Sequence, residues 1–393
     1  MKIKNIKITS IGGISSLHLN ALNEQVNIIC GENGVGKTNI LDSIAFCFSE
    51  LDSNIVSKKS GSDSGTIEIK TTQNDLPENF KFEINVFAPS DSDRYISNSL
   101  YQERKQYLLY LKTNRGIDYR KIESIKSDPD ITYRARHNTS GVKNEDIKEW
   151  LLNRVLHSAH KNHLSETQLK NLELSKKCFS VLNSDYAYSH LDTKNEIFLK
   201  TPTGEIYLEY LSSGFKSVIF ILLGLIKEID YRFEANRIPA EEYEGIILID
   251  EIELHLHPEW QGRICTILKN IFPMAQFFIT THSPHVVQTA GQGEVIALER
   301  HADGHINQRP LPASEYGYQG WTVEEILEDI MGMPDLRTKK YNEIKKKFDD
   351  ALDREDKLGA QNAYQDLDEI LHPQYPLRPV FKMQLDKILG GER

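Results

Sequence analysis

"GENGVGKTNILDSIAFCF", residues 31–48, is the stretch on which the reading of the whole chain turns. Gly31, Gly34, Gly36, Lys37 and Thr38 fill the pattern G-x-x-x-x-G-K-[ST] completely. Phosphate binding is the chemistry that needs this spacing. Glycines let backbone N–H groups wrap an anion, the lysine reaches the outer phosphates, and the threonine hydroxyl ligates Mg²⁺. Before the loop, "QVNIIC" is apolar enough for a buried strand; after it, Ile40, Leu41, Ile44, Ala45 and Phe48 recur at helical spacing. The expected phosphate-binding set is therefore Gly31, Glu32, Asn33, Gly34, Val35, Gly36, Lys37, Thr38 and Asn39.

Working outward, "GIILIDE" (245–251) is an apolar strand ending in two acids. Asp250 then stands at the carboxyl edge of a sheet, where open α/β sheets bind ligands, and joins Thr38 in holding Mg²⁺. Glu251 is the candidate proton acceptor for an attacking water. The same stretch continues "IELHLHPEWQ", and His255-x-His257 admits a second reading as a metal pair, since a strand points both rings to one side. Against that, Pro258 begins a helix and no other strand supplies a matching His/Asp cluster. A third histidine group, His157, His160 and His163 in "HSAHKNH", falls at helical i, i+3, i+6. The outer two are then rotated apart, which favours a solvated face over a tetrahedral site.

The rest of the chain sets limits. With 393 residues, 39% hydrophobic and 26% charged, it is an ordinary globular composition with material for two or three structural units. A net charge of -10, from 47 basic and 57 acidic residues, argues against a general nucleic-acid coat. Cys30, Cys47, Cys178 and Cys265 form no CxxC, so neither a zinc ribbon nor a disulfide framework is read, and a reducing cytoplasmic setting is expected. No apolar run reaches about 18 residues, so no membrane span is expected.

Three short strands are read before residue 31, and an antiparallel pair in "GTIEIKTT" and "FKFEINVFAP". Residues 95–204 read as a mainly helical insertion, with Ser165 and Gln168 at capping-box spacing. Strong apolar segments return over 205–311 and alternate with helices, the pattern of an α/β parallel sheet. Residues 312–393 read as a charged helical tail. Its apolar positions Tyr341, Ile344, Phe348, Ala351 and Leu352, then Ala363, Tyr364, Leu367, Ile370 and Leu371, suggest an αα-hairpin with a face to bury and no core of its own. The basic run "RTKKYNEIKKK" (337–347) is read as its solvated side.

Two further motifs set the class. "YLSSGFKS" (210–217) resembles a degenerate ABC signature, with Ser212, Ser213 and Gly214 opening a helix; "FFITTHSP" (277–284) resembles the switch-histidine strand, with His282 just past its end. The order loop, signature, Asp-Glu, histidine is that of ABC ATPases. With residues 39–211 filled by hairpin and helices, the chain is similar to ABC ATPases of the SMC and OLD-nuclease group, and within it to ATPase subunits of Septu-type and retron-associated antiphage systems. The ATPase resemblance covers residues 1 to about 300; the narrower one leans on "YGYQGWTVEEILEDIMGMPDLRT". It departs from the pattern at "ITSIGGI", where an Asn-Phe pair is usual, and at Phe215, where the signature has glutamine; for the Q-loop, Gln73 and Gln102 both stand as candidates.

The resemblance implies an α/β P-loop NTPase of ABC type, a mixed sheet with flanking helices, divided as 1–94 and 205–311 (head), 95–204 (helical insertion) and 312–393 (helical tail). It implies ATP and Mg²⁺ as ligands, with Lys37, Glu251 and His282 catalytic, and Ser212, Ser213 and Gly214 acting in trans in a homodimer or higher oligomer of heads. His255 and His257 would form a D-loop facing the second subunit. No nuclease segment follows residue 300, so nuclease activity, of HNH type by resemblance, is expected in a partner chain docked on the tail, with nucleic acid reached through the complex. Two other functions remain open: an SMC-like DNA repair or recombination ATPase, and an ATP-stabilised scaffold with negligible turnover.

Overall fold

The apolar segments that flank the glycine loop become, in the computed structural model, the centre of a six-stranded sheet. The structure describes residues 1–49, 55–73, 76–88, 99–116, 118–124, 127–129, 137–144, 146–233, 236–301, 305–333 and 335–390. Among the described residues thirteen strands form three sheets. In chain order the strands are β1 (Lys2–Ile11), β2 (Ile14–Leu19), β3 (Val26–Gly31), β4 (Gly65–Gln73), β5 (Leu76–Ile84), β6 (Leu108–Leu111), β7 (Ala187–Leu191), β8 (Ile197–Thr201), β9 (Gly204–Tyr207), β10 (Ile246–Ile249), β11 (Gln276–Thr280), β12 (Val295–Arg300) and β13 (Ile306–Gln308). The central sheet runs β13-β12-β3-β11-β10-β6, parallel except for β13. Every residue of β3, β6, β10 and β11 is buried, as expected of parallel strands covered on both faces.

Period-two alternation sends these side chains to two cores. Ile29, Leu108, Tyr110, Leu248 and Phe278 face helix α1 (Lys37–Cys47) and the antiparallel sheet β2-β1-β4-β5. Val26, Ile28, Leu111, Ile249 and Ile279 face α2 (Ile147–Ser158), α3 (Glu166–Leu182) and α4 (Ser213–Arg232). The capping box at Ser165 is present, with Gln168 N donating to Ser165 Oγ at 3.2 Å and Ser165 N to Gln168 Oε1 at 3.0 Å.

Alongside its helices the insertion also carries strands. Its "LLYL" is β6, the edge strand beside β10, and β7-β8-β9 make a separate three-stranded sheet. Four apolar residues in polar surroundings carry no period of their own, so only the pairing with β10 reveals the strand.

The tail also divides differently. Two compact units are present, Met1–Gly332 and Met333–Arg393. Tyr318, Ile326, Ile330 and Met331 are buried in the core of the first unit, so 312–332 packs with the head. In the second unit α6 (Lys339–Asp353) and α7 (Lys357–Ile370) do form an antiparallel pair. A third helix, α8 (Arg378–Leu389), supplies Phe381 and Leu385 to a cluster with Ile344, Phe348, Ala360, Ala363 and Leu367. The expectation of a coreless hairpin is corrected: the pair has its own small core, because α8 covers the face the hairpin leaves open. Helix α5 (Ile264–Ile271) completes the head between β10 and β11.

Candidate nucleotide-binding site

Gly36 ends the glycine loop as the N-cap of α1 at φ 102°, and Gly34 has φ 74°, so both occupy the left-handed region that glycine alone enters freely. At Gly31 the constraint is contact as well: a Cβ there would lie 2.4 Å from Leu298 O on β12. The backbone N–H groups of Asn33, Gly34, Gly36, Lys37 and Thr38 donate to nothing among the described residues, which leaves them available to phosphate oxygens. Lys37 Nζ lies across the loop, donating to Gly31 O and Glu32 O at 2.9 Å each. Burial lowers its pKa, opposed by Cys30 and by Glu253, Glu251 and Asp250. Arg300 Nη2 donates to Gly34 O at 2.6 Å, and Gly12 in the β1–β2 turn approaches Asn39 so closely that a Cβ would meet its Nδ2 at 2.6 Å.

The second half arrives by parallel pairing. Thr38 Oγ1 lies 3.1 and 3.2 Å from the two Asp250 carboxylate oxygens, and Thr280 Oγ1 donates to Asp250 Oδ1 at 2.6 Å. The fit to Mg²⁺ rests on this donor set: a hydroxyl and a carboxylate, hard oxygens, brought together at the mouth of the loop from residues 212 apart in sequence. Glu251 follows with φ 49°, its N–H donating to Thr280 Oγ1 at 2.8 Å and its carboxylate accepting no hydrogen bond among the described residues.

Comparisons with known proteins bear on the class at this point. Residues 2–307 match the RecF/RecN/SMC N-terminal domain. The chain is 41% identical to Septu protein PtuA of Bacillus thuringiensis over 98% of its own length and 97% of that protein's. It belongs to the PtuA family. A retron Vc95 probable ATPase of Vibrio cholerae serotype O1 biovar El Tor is 23% identical, over 75% of this chain and 73% of that one. Among solved structures, an Smc head bound to the C-terminal winged-helix domain of ScpA superposes with a TM-score of 0.52 at 15% identity, over 79% of this chain and 98% of the other, which shows the ABC-type head fold.

In this PtuA-family head the remaining motif residues fall into a connected set. Ser212 is the N-cap of α4, its hydroxyl accepting from Phe215 N at 3.3 Å, with Ser213 exposed and Gly214 buried behind it. Gly214 abuts the stretch after Glu251: a Cβ would lie 2.8 Å from His255 O and 3.3 Å from the Trp260 ring. Ser217 Oγ donates to Leu254 O at 3.2 Å, and Phe215, where the signature has glutamine, packs edge-on against Trp260. Glu253 holds the switch segment, accepting from Thr281 Oγ1 and from His282 N at 2.7 Å each, while the His282 ring is exposed.

The histidine alternatives resolve physically. His255 has φ 65° and His257 is the N-cap of the helical turn Pro258–Gln261, accepting from Glu259 N through Nδ1 at 3.4 Å, so the two do not lie on a strand. His157, His160 and His163 come closer than helical spacing implies, with His163 ring centroids 5.7 and 4.9 Å from the other two, because the helix stops at Ser158 and the chain turns back. Among the described residues no group of three or more His, Cys, Asp or Glu is arranged to hold a metal. Gln73 is removed as a Q-loop candidate: it lies beside Lys2, whose Nζ donates to Met274 O before the start of β11, at the sheet end away from Asp250. Gln102's side chain lies outside the described residues.

Sequence reading missed four groups around Asp250. Asp42, one turn beyond Thr38, accepts from Tyr110 Oη at 3.0 Å and lies 3.8 Å from Lys112 Nζ. Burial raises its pKa, Lys112 and the tyrosine hydroxyl oppose the rise, and Asp250 adds to it. Arg115, in the loop after β6, is buried against the Asp250–Ile252 main chain. No local pattern marks any of them.

Proposed function

We propose that this chain is an ATP-hydrolysing regulatory subunit of an antiphage defence complex, in which two heads close on two ATP molecules and their nucleotide state gates a separate HNH-type nuclease. The observation that carries the ATPase reading is the convergence of Lys37, Thr38, Asp250 and Glu251 on one mouth lined by unpartnered backbone N–H groups. Thr38 and Asp250 would hold Mg²⁺, which when bound would supply charge neutralisation on the phosphates. Lys37 exchanges its bonds to Gly31 O and Glu32 O for phosphate oxygens, and the loop N–H groups bind the rest of that charge. Glu251 accepts a proton from the attacking water, which leaves the reaction ATP plus water to ADP plus phosphate. His282 reads the terminal phosphate from the loop that Glu253 holds. Ser212 and Ser213, exposed at the start of the 20-residue α4, present that helix's N-terminus to the nucleotide of the second head.

The defence setting rests on the PtuA and retron relatives. Docking of the nuclease on the second unit is supported by Leu358 and Met383, 70% and 71% exposed on that three-helix unit. Glu251→Gln tests the core of the proposal. Hydrolysis is expected to fall about 100-fold or more, with ATP affinity retained and ATP driving the variant from monomer to dimer on gel filtration. Wild-type turnover, or no nucleotide-dependent association, would refute it.

A further inference from the structure

Glu251 has to hold a carboxylate still, yet that carboxylate accepts no hydrogen bond among the described residues. Whatever fixes it must act through its backbone. The backbone is unusual: φ is 49°, a region that residues other than glycine seldom enter. Its N–H edge is held by β6 and β11. Asp250 N donates to Leu111 O at 2.9 Å, Glu251 N to Thr280 Oγ1 at 2.8 Å and Ile252 N to Thr280 O at 3.1 Å.

Along the carbonyl edge one side chain bonds all three groups, and Leu254 N adds a bond to Glu251 O at 3.0 Å. Arg115 Nη2 donates to Asp250 O, and Nη1 to Glu251 O at 3.1 Å and Ile252 O at 3.4 Å, while Nε returns to Lys112 O at 3.1 Å. Three successive carbonyls converge on one guanidinium only because the chain turns left-handed at Glu251. The arginine reaches them because Leu111 pairs with Ile249 in parallel register, which carries "KTNR" along the flank of the turn. It is 2% exposed, and burial pushes its pKa down to about 10 against the pull of Glu253, Asp250 and Glu251. A charge buried at such a cost in solvation, and bonded to main chain instead of to a carboxylate, is placed for geometry. Lysine offers no planar fork and cannot reproduce the set.

We propose that Arg115 is a positioning residue for Glu251, holding the main chain of residues 250–252 so that the carboxylate points at the attacking water. The proposal rests on the reading of Glu251 as proton acceptor. It makes turnover, and not ATP binding, depend on a residue of the insertion 135 positions before Asp250.

The test uses full-length Arg115→Lys and Arg115→Gln, each alone and combined with Glu251→Gln, in single-turnover hydrolysis with enzyme in excess and in ATP titration. Each single variant is expected to lower the hydrolysis rate about 30-fold or more, as for a misplacement of reacting groups, with the ATP dissociation constant changed less than about threefold. In the Glu251→Gln background the same substitutions are expected to lower the residual rate by less than about twofold, because the group they position is gone. Multiplying effects there, or full activity of the single variants, overturns the Arg115 assignment while leaving Glu251 intact. Wild-type turnover of Glu251→Gln alone overturns the underlying reading instead. Loss of ATP affinity together with loss of helical circular dichroism in both Arg115 variants assigns the arginine to folding alone and also overturns the proposal.

Discussion

Glu228→Gln tests how α4 is anchored. This helix carries Ser213 and Gly214 at its first turn and, near its last, Lys227, Glu228 and Arg232, with 0%, 0% and 2% of their surface exposed. Glu228 accepts from Arg232 Nε at 3.0 Å, pairs with Lys227 Nζ at 3.3 Å and meets His137 Nδ1 at 3.2 Å. Arg232 Nη1 reaches on to Leu108 O at 2.5 Å and Asn138 Oδ1 at 2.6 Å. Removing the carboxylate charge takes from Lys227 and Arg232 the buried anion that lies between them, while Asp146 still pairs with Lys227. The cost of breaking a buried pair in this way is about 3–5 kcal/mol, or roughly 6–10 °C of melting temperature at about 2 °C per kcal/mol for a unit of this size. Trp150, Trp260 and Trp321 all lie within Met1–Gly332, so tryptophan fluorescence in urea reports that unit alone.

The pH dependence of that loss has a defined sign. Burial by itself raises the Glu228 pKa, but Lys227, Arg232 and His137 outweigh it and hold the carboxyl well below its ordinary value. A depressed carboxyl contributes stability that is fully present above the unfolded value, about 4.3, and is lost as pH falls through the folded value. The gap between wild type and Glu228→Gln is therefore expected to be flat from pH 6 to 8, on the order of its full size, and to shrink below about pH 4. A gap under about 1 kcal/mol at pH 7, or one that does not shrink in acid, refutes the anchoring argument.

Two further expectations are simpler. Gly214→Ala forces a Cβ to within 2.8 Å of His255 O and so must displace either the signature or the D-loop; turnover is expected to fall while ATP affinity holds, and the stability loss to be about 1–3 kcal/mol, outcomes that paired kinetics and nucleotide titration check. All four cysteines are buried, and burial pushes Cys30, Cys178 and Cys265 up to about 12 and Cys47 higher still. A thiol reagent at pH 8 is expected to find no reactive thiol in the native protein and all four after denaturation.

The parts legible in the sequence are those whose chemistry is local. Gly31 to Thr38, Asp250 with Glu251, and Ser212 to Gly214 each declare themselves within eight residues, and apolar periodicity was enough to place them on strand ends and helix starts. Arg115, Glu253 and the Asp42–Tyr110–Lys112 group did not, because each acts on a partner brought by pairing of strands distant in sequence, or on main-chain atoms that have no residue type. β6 was lost for the same reason: "LLYL" is a strand only in the presence of β10. Lys227, Glu228, Asp230 and Arg232 carry no local sign of burial, yet the structure buries all four against α2, α3 and the chain around β6. Only the helical placement of the histidine trio differs, at an element boundary, since one further turn of helix after Ser158 would have kept the rings apart.

What these long-range contacts share is β6. Its carbonyl at Leu108 receives Arg232 from the far end of α4, its carbonyl at Leu111 receives Asp250 N, and the loop that leaves it delivers Lys112 toward Asp42 and Arg115 to the turn at Glu251. The near end of α4 presses Gly214 and Phe215 on the D-loop that begins where that turn ends. Helix α4, edge strand β6 and the turn at Glu251 thus form a closed circuit, braced by buried ionic bonds at one corner and by close backbone contact at another. A circuit of this kind resists small independent shifts of its members, because each would leave a buried charge or carbonyl unpaired. In the proposed two-head assembly, engagement of α4 by the second head is then expected to be felt at Glu251 through two rigid routes, residues 253–257 and β6. Substitutions on the two routes, Gly214→Ala and Arg115→Lys, should accordingly converge on the same kinetic step.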